Sequence, residues 1–404
     1  MERPFSLLIK PVSADCNLNC QYCFYLEKQR IYPQSRRHRM SEQVLERLVQ
    51  SYMSTSQPLY SFTWQGGEPT LAGTPFFERV ISLQQKYGGD GAVVGNGLQT
   101  NATLIDEEMA RLFAQYNFLV GCSLDGPPAL HDRFRKTIDN KSTHARVIQG
   151  IELLEKHHVE CNILILVSKA NVNAAKQVYQ YLVNRGHNYH QYIPCVEINQ
   201  KGEPEPYAIN GEEWGKFLSE LFHAWYPQDV RKVSVRLFDA IVEKKVTGRS
   251  TMCTMDENCC QYFVVEYNGD VYPCDFYVDH SNKLGNVLTD SWRDLGKKAG
   301  YRQFGLEKKN VHGECTGCEF ISLCQGDCPK HRAANLSVLC EGWKKFYHQT
   351  NSVFEELAGK FNPKPSEAVK NSVQEISRKH QRLGRNDPCL CGSGLKYKKC
   401  CAKK

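Results

Sequence analysis

Three cysteines close behind the first apolar stretch constrain this chain more than any other feature. Cys16, Cys20 and Cys23 form a C-x3-C-x2-C set directly after the strand-like run Phe5–Val12. They belong to a total of nineteen cysteines among 404 residues. The N-terminus, MERPFSLLIKP, shows neither the apolar run nor the small-residue cleavage site of a signal peptide. No stretch approaches the ~20 apolar residues of a membrane span. The expected location is therefore cytoplasmic, with no membrane partner. A reducing compartment disfavours structural disulfides, so the thiols point to metal. Three close thiolates with no obvious fourth ligand suit an iron–sulfur cluster with one open iron. A zinc loop would need another ligand nearby.

The surrounding chain alternates. Strand-like segments fall at Phe5–Val12, Tyr60–Gln65, Ala92–Gln99, Phe118–Leu124, Cys161–Val167 and His190–Ile198. Amphipathic helical segments lie between them, at Ser41–Met53, Pro75–Tyr87, Asp106–Tyr116, Ala145–His157 and Val172–Asn184. Regular β–α alternation implies a parallel sheet with right-handed crossovers. Six units are too few for a closed eight-stranded barrel, so the expected α/β fold is a partial, TIM-like (β/α)6 barrel. A doubly wound open sheet is the alternative, since strand order is not legible here. The hydrophobic content of 41% is enough for a core of this size. The net charge of +7 is mild and does not point to nucleic acid.

With these strands in place, the cysteine set resembles the radical S-adenosylmethionine (SAM) superfamily. Tyr22 before the third cysteine matches that pattern, as does the position after the first strand. The resemblance implies a 4Fe–4S cluster on Cys16, Cys20 and Cys23, with SAM chelated to the open iron. Trp64-Gln65-Gly66-Gly67-Glu68-Pro69 resembles the superfamily segment whose backbone pairs with the methionine amino group, and glycine permits such close approach. Ser123-Leu124-Asp125-Gly126-Pro127 ends the fourth strand. There the resemblance puts Ser123 at the ribose and Arg135 on the carboxylate, a role that suits a guanidinium fork. Val196, beyond strand six, would line the adenine.

From about Met252 cysteines become dense and regular structure is expected to be sparse, with short loops tied by metal. Cys315, Cys318, Cys324 and Cys328 form C-x2-C-x5-C-x3-C, with Cys253, Cys259, Cys274 and Cys340 around them. This resembles the SPASM module of peptide-modifying radical SAM enzymes, which implies two auxiliary 4Fe–4S clusters and three in all. The family pattern places Cys253, Cys259, Cys274 and Cys328 on one cluster. It places Cys315, Cys318, Cys324 and Cys340 on the other. Spacing alone leaves other partitions open, two zinc sites among them, and Cys260 could replace Cys259. Asp275 follows Cys274 directly; in sulfatase-maturating members an aspartate here is the general base. Cys122, Cys161 and Cys195 read as buried strand thiols.

The polar stretch 362–383 reads as a linker. Beyond it, Asn386-Asp387-Pro388-Cys389-Leu390-Cys391-Gly392-Ser393-Gly394 leads to Cys400 and Cys401. This segment resembles the SEC-C motif, which implies a structural zinc on Cys389, Cys391, Cys400 and Cys401 and docking to a protein partner. The expected organisation is a radical SAM barrel over 1–235, a SPASM domain over 236–361, the linker, and the SEC-C motif over 384–404.

Taken together, the motifs most resemble the anaerobic sulfatase-maturating enzymes. That family implies conversion of a sulfatase active-site Cys or Ser to Cα-formylglycine without oxygen, with SAM cleaved to methionine and 5′-deoxyadenosine. It also implies an electron donor such as flavodoxin or ferredoxin. Two other readings stay open. One is another SPASM enzyme making thioether or carbon–carbon crosslinks in a precursor peptide. The other is a non-catalytic metal-binding sensor or docking protein.

Overall fold

Apolar side chains recur at every second residue of the strand segments, and the sheet follows from that. A computed structural model describes residues 4–34, 37–199, 201–361 and 396–399. The linker and the four terminal cysteines, Cys389, Cys391, Cys400 and Cys401, lie outside the described residues. The chain divides into two compact units, Met1–Phe354 and Glu355–Lys404; the site belongs to the first.

Six strands carry the expected alternation: β1 (Ser6–Lys10), β2 (Tyr60–Trp64), β3 (Val94–Thr100), β4 (Leu119–Ser123), β5 (Glu160–Val167) and β6 (Tyr189–Pro194). A short β7 (Ser234–Val235) follows β6. All seven pair in parallel, in sequential order. A doubly wound sheet would reverse its order part-way, so that alternative is excluded. The architecture is a partial barrel. Leu7 and Ile9 of β1 and Phe62 and Trp64 of β2 are fully buried. Each such side chain contributes roughly 1.5–3 kcal/mol on burial.

Helices α1 (Glu42–Met53), α2 (Thr74–Tyr87), α3 (Glu107–Gln115), α4 (Pro128–Phe134), α5 (His144–Lys156), α6 (Ala175–Asn184), α7 (Gly211–Trp225) and α8 (Arg236–Thr247) accompany the strands. Local signals start them. Ser41 caps α1 by accepting from the Val44 N–H, and the stripe Val44, Leu45, Leu48, Val49 and Tyr52 is buried. Asn210 and Glu213 close a capping box on α7.

The cysteine-rich region departs from the expected run of loops. A hairpin of β8 (Tyr262–Glu266) and β9 (Asp270–Tyr272) forms there, with Gly269 at φ +87° in its turn. β8 pairs in parallel with β1 along five residues, from Ser6↔Tyr262 to Lys10↔Glu266. β10 (Gly285–Asn286) then adds to β9, completing ten strands. The region thus extends the barrel sheet instead of hanging from it.

The barrel is hollow. Closed eight-stranded barrels fill their interior with layers of branched side chains. Here Gly97 of β3 and Gly121 of β4 stand among polar Thr63, Gln99, Asn162 and Gln191 around a cavity of about 830 Å3. Cys161, expected as an ordinary core thiol, also lines it. Among the described residues, no helix is long and apolar enough to cross a membrane.

Candidate active site

The loop after β1 carries Cys16, Cys20 and Cys23, and the loop after β2 holds it in place. The Gly67 N–H donates to Ser13 O at 2.7 Å and the Glu68 N–H to Asp15 O at 2.7 Å. A Cβ on Gly67 would lie 1.9 Å from Asp15 O, and Gly66 has φ +145°. Only glycine allows this approach. The close contact made by the two glycines is therefore with the cysteine loop. With the Gly67 and Glu68 N–H groups so engaged, the carbonyl oxygens are what this segment can offer an amino group.

The Glu68 side chain is likewise engaged internally. Fully buried, it accepts from the Thr70 N–H at 3.0 Å, the Thr70 hydroxyl at 2.6 Å, the Thr100 hydroxyl at 2.7 Å and the Asn101 N–H at 2.7 Å. Burial pushes its pKa up while these donors oppose the shift. Asn101 in turn donates to Asn17 Oδ1 at 2.9 Å and to Cys16 Sγ at 3.8 Å. The sequence reading missed Asn17 and Asn101. Their signal was position: Asn101 directly follows a barrel strand, where barrel enzymes place functional groups.

The cysteine loop also enters a buried polar knot through Tyr22. Tyr22 donates its hydroxyl hydrogen to Asp125, and Arg135 Nη1 donates to Tyr22 Oη at 3.0 Å. Asp125 also accepts from the Leu166 N–H at 3.0 Å. Burial raises the Asp125 carboxyl. Arg135 Nε is buried and has no hydrogen-bond partner. A buried orphan donor on a guanidinium fits the carboxylate of a bound small molecule. Ser123, at the end of β4, accepts from Gln99 Nε2 at 3.1 Å. Gln99 lines the barrel cavity, so Ser123 is one hydrogen bond from it. Val196 is buried just beyond β6.

The thiols fit metal. Burial pushes Cys16 up to about 12 and Cys20 up to about 11. A bound cation would hold such thiols as thiolates, and three of them on one short loop suit an iron–sulfur cluster.

Eight further cysteines line two separate cavities. Cys253, Cys259, Cys274 and Cys328 surround one, closed by Tyr262, Phe276, Tyr277 and Phe304. Cys315, Cys318, Cys324 and Cys340 surround the other, against Phe320, Trp343 and Tyr347. Among the described residues, no three Cys, His, Asp or Glu side chains converge on one ion. The four thiols of each set instead line the wall of a shared void. Cys260 Sγ lies 3.0 Å from Tyr301 O, away from the lining of the first cavity. Asp275 follows Cys274, is buried, and forms an ion pair with the fully buried Lys10 of β1.

A hollow parallel barrel, a three-cysteine loop at its strand ends and eight further thiols around two cavities define a class: the SAM-dependent iron–sulfur enzymes. The comparisons with known proteins agree. Residues 11–182 match the radical SAM superfamily, residues 253–319 the iron–sulfur cluster-binding SPASM domain, and residues 385–403 the SEC-C motif. The chain is 37% identical over 354 residues to a cysteine-type anaerobic sulfatase-maturating enzyme of Clostridium perfringens, covering 85% of this chain and 95% of that protein. A serine-type enzyme of Bacteroides thetaiotaomicron is 33% identical over 369 residues, covering 85% and 89%. The solved structure of native anSMEcpe with bound AdoMet and the Cp18Cys peptide superposes with a TM-score of 0.82 at 36% identity, covering 89% of this chain and all of that one. SuiB of Streptococcus suis, bound to its precursor peptide SuiA, shares 15% identity and shows the fold alone.

The chain belongs to the anaerobic sulfatase-maturating enzymes. It is a radical SAM enzyme that binds iron–sulfur clusters and SAM.

Proposed function

We propose that this chain oxidises one Cys or Ser side chain of a sulfatase to Cα-formylglycine under anaerobic conditions. The observation that carries the reading is Asp275, a buried carboxylate directly after the cavity thiol Cys274 and paired with the strand that leads into the cysteine trio. The relatives, serine-type and cysteine-type alike, support the substrate class.

When bound, the reduced cluster and SAM supply a 5′-deoxyadenosyl radical, with methionine as the other product. Cys16, Cys20 and Cys23 would hold that cluster. Arg135 Nε would take the SAM carboxylate, and the carbonyls around Gly66, Gly67 and Glu68 its amino group. Ser123 would face the ribose, Val196 the adenine, and Tyr22 would fix Arg135. The eight cavity thiols, Cys253, Cys259, Cys274 and Cys328 in one set and Cys315, Cys318, Cys324 and Cys340 in the other, would hold two auxiliary 4Fe–4S clusters.

The polypeptide would enter the hollow barrel, where Gly97 leaves room for backbone. Oxidising the side chain removes a β-hydrogen atom, one further electron and the proton of its thiol or hydroxyl; an auxiliary cluster would take up the electron. Asp275 would accept that proton. Serine gives the aldehyde directly, while cysteine gives a thioaldehyde that water converts to the aldehyde with release of hydrogen sulfide. An external donor, a flavodoxin or ferredoxin, would supply the reducing electron. The SEC-C motif would bind a structural zinc on Cys389, Cys391, Cys400 and Cys401 and dock a protein partner.

The test is anaerobic incubation of the reconstituted chain with SAM, reductant and a sulfatase peptide, read by mass spectrometry. A cysteine target should exchange one sulfur and two hydrogens for one oxygen; a serine target should lose two hydrogens. An intact peptide alongside normal SAM cleavage would overturn the substrate assignment. A thioether or carbon–carbon crosslink would replace it with the precursor-peptide reading.

A further inference from the structure

Three buried polar atoms without an aligned hydrogen bond meet at the seam between barrel and cysteine-rich region: Lys10 Nζ, Glu266 Oε2 and Asp275 Oδ1. Lys10 ends β1 and Glu266 ends β8, and the two are direct cross-strand partners. Both are fully buried. The Lys10 ammonium pairs with Asp275 and lies over the Tyr25 ring, 4.1 Å from its centroid. Tyr25 donates its hydroxyl hydrogen to Glu266.

The Lys10 ammonium is ion-paired with Asp275 and acts on Glu266 through space; both carboxylates come from the cysteine-rich region. Burial pushes the Glu266 carboxyl up, while the hydroxyls of Tyr25 and Ser13 and then the Lys10 charge pull it back. A lone charge in such a place is unfavourable; paired ions persist. Asp275 opens a single-turn helix, Asp275–Tyr277, that lacks a side-chain cap. Its charged partner is Lys10.

We propose that Lys10 is a positioning residue for Asp275, held in place by Glu266 and Tyr25. The inference rests on Asp275 as proton acceptor. Lys10 lies on the strand that runs into the Cys16 loop, so the ion pair ties the orientation of the carboxylate to the place where the radical forms. A freed carboxylate would turn among its rotamers and meet the substrate proton less often, while hydrogen-atom abstraction would proceed. Loss of Lys10 therefore uncouples the two halves of the reaction.

The test uses the reconstituted full chain and a sulfatase peptide deuterated at the target Cβ. Deuterium in 5′-deoxyadenosine reports the first half, and aldehyde the second. Lys10→Met should keep deuterium transfer near the native rate and lower aldehyde yield by roughly 10–100-fold, up to the lower end of the ~100–10,000-fold that a positioned acid–base group contributes, since the carboxylate is misplaced and not removed. Lys10→Arg should restore part of the loss. The double variant Lys10→Met/Asp275→Asn should be no worse than Asp275→Asn, because residues acting as a unit do not lose activity multiplicatively. Multiplied losses would overturn the inference. So would native aldehyde from Lys10→Met beside an inactive Asp275→Asn. Native aldehyde from Asp275→Asn itself would overturn the base assignment, and this inference with it. If Lys10→Met fails to assemble its clusters, the isosteric Glu266→Gln carries the test. It should lower aldehyde several-fold with deuterium transfer intact; native aldehyde there overturns the proposal.

Discussion

The barrel strands and the cysteine-rich stretch share one sheet yet are stabilised by different means. In the barrel, buried apolar faces pack β1–β6 under their helices, and Leu7, Ile9, Phe62 and Trp64 are fully buried. In the cysteine-rich region, eight thiols face two cavities with aromatic walls, and regular elements are short up to the helix Cys340–Phe361. The first region folds by burial. The second also buries apolar side chains, Phe263, Val264, Val271 and Tyr272 among them, and a group bound at its thiols would add to that. The seam between them, β1 against β8, is where their chemistry meets.

The largest expected break in this comparison comes from metal. Iron chelation should raise hydrogen exchange over 312–340 while β3–β5 stay protected, read by mass spectrometry. Equal loss of protection in both regions would mean that the barrel also depends on metal. Cys20→Ala should abolish 5′-deoxyadenosine formation and leave the far-ultraviolet circular dichroism nearly unchanged. Cys318→Ala should lower iron content and leave SAM bound.

A smaller but sharper effect comes from filling the barrel. A Cβ at Gly97 meets nothing closer than 3.7 Å, so Gly97→Val should fold. Its methyl groups would occupy the cavity and displace the polypeptide. Aldehyde should fall by about 100-fold, the scale of a slightly misplaced reactant, while SAM cleavage changes little. Equal loss of both would place the cavity on the cofactor side.

Next in size is a pH effect confined to the barrel. Burial lowers His190 to about 4 from the ordinary 6.5. The folded barrel keeps it neutral where the unfolded chain binds a proton. The associated stability is present above about pH 6.5 and is lost as pH falls toward 4, by up to about 3 kcal/mol. Equilibrium denaturation of wild type and His190→Gln across that window should converge at the acidic end; parallel curves would contradict the assignment. The smallest effect is at a helix start. Ser41→Ala removes the α1 cap and should cost about 1 kcal/mol, read from the denaturation midpoint.

The same division explains what was legible in the sequence. Six strands and their helices stood out because apolar periodicity is local. β6 ends at Pro194, short of the expected Ile198, because Cys195 and Val196 turn into the site while remaining apolar. The β8–β9 hairpin was signalled by Asn268-Gly269-Asp270 between apolar runs, yet the surrounding cysteines hid it. The grouping of eight thiols around two cavities came from family resemblance, since spacing allows several partitions. Lys10 and Glu266 lie far apart in the chain, and no periodicity reports a pairing across β1 and β8. A lysine ending an apolar strand was the available clue.

The central claim is that a radical formed at the Cys16, Cys20 and Cys23 loop takes a hydrogen atom from a sulfatase side chain held in the hollow barrel. Anaerobic turnover of a peptide deuterated at its target Cys or Ser Cβ tests this most directly. Deuterium should appear in 5′-deoxyadenosine together with aldehyde on the peptide. Unlabelled 5′-deoxyadenosine beside an unchanged peptide would contradict it.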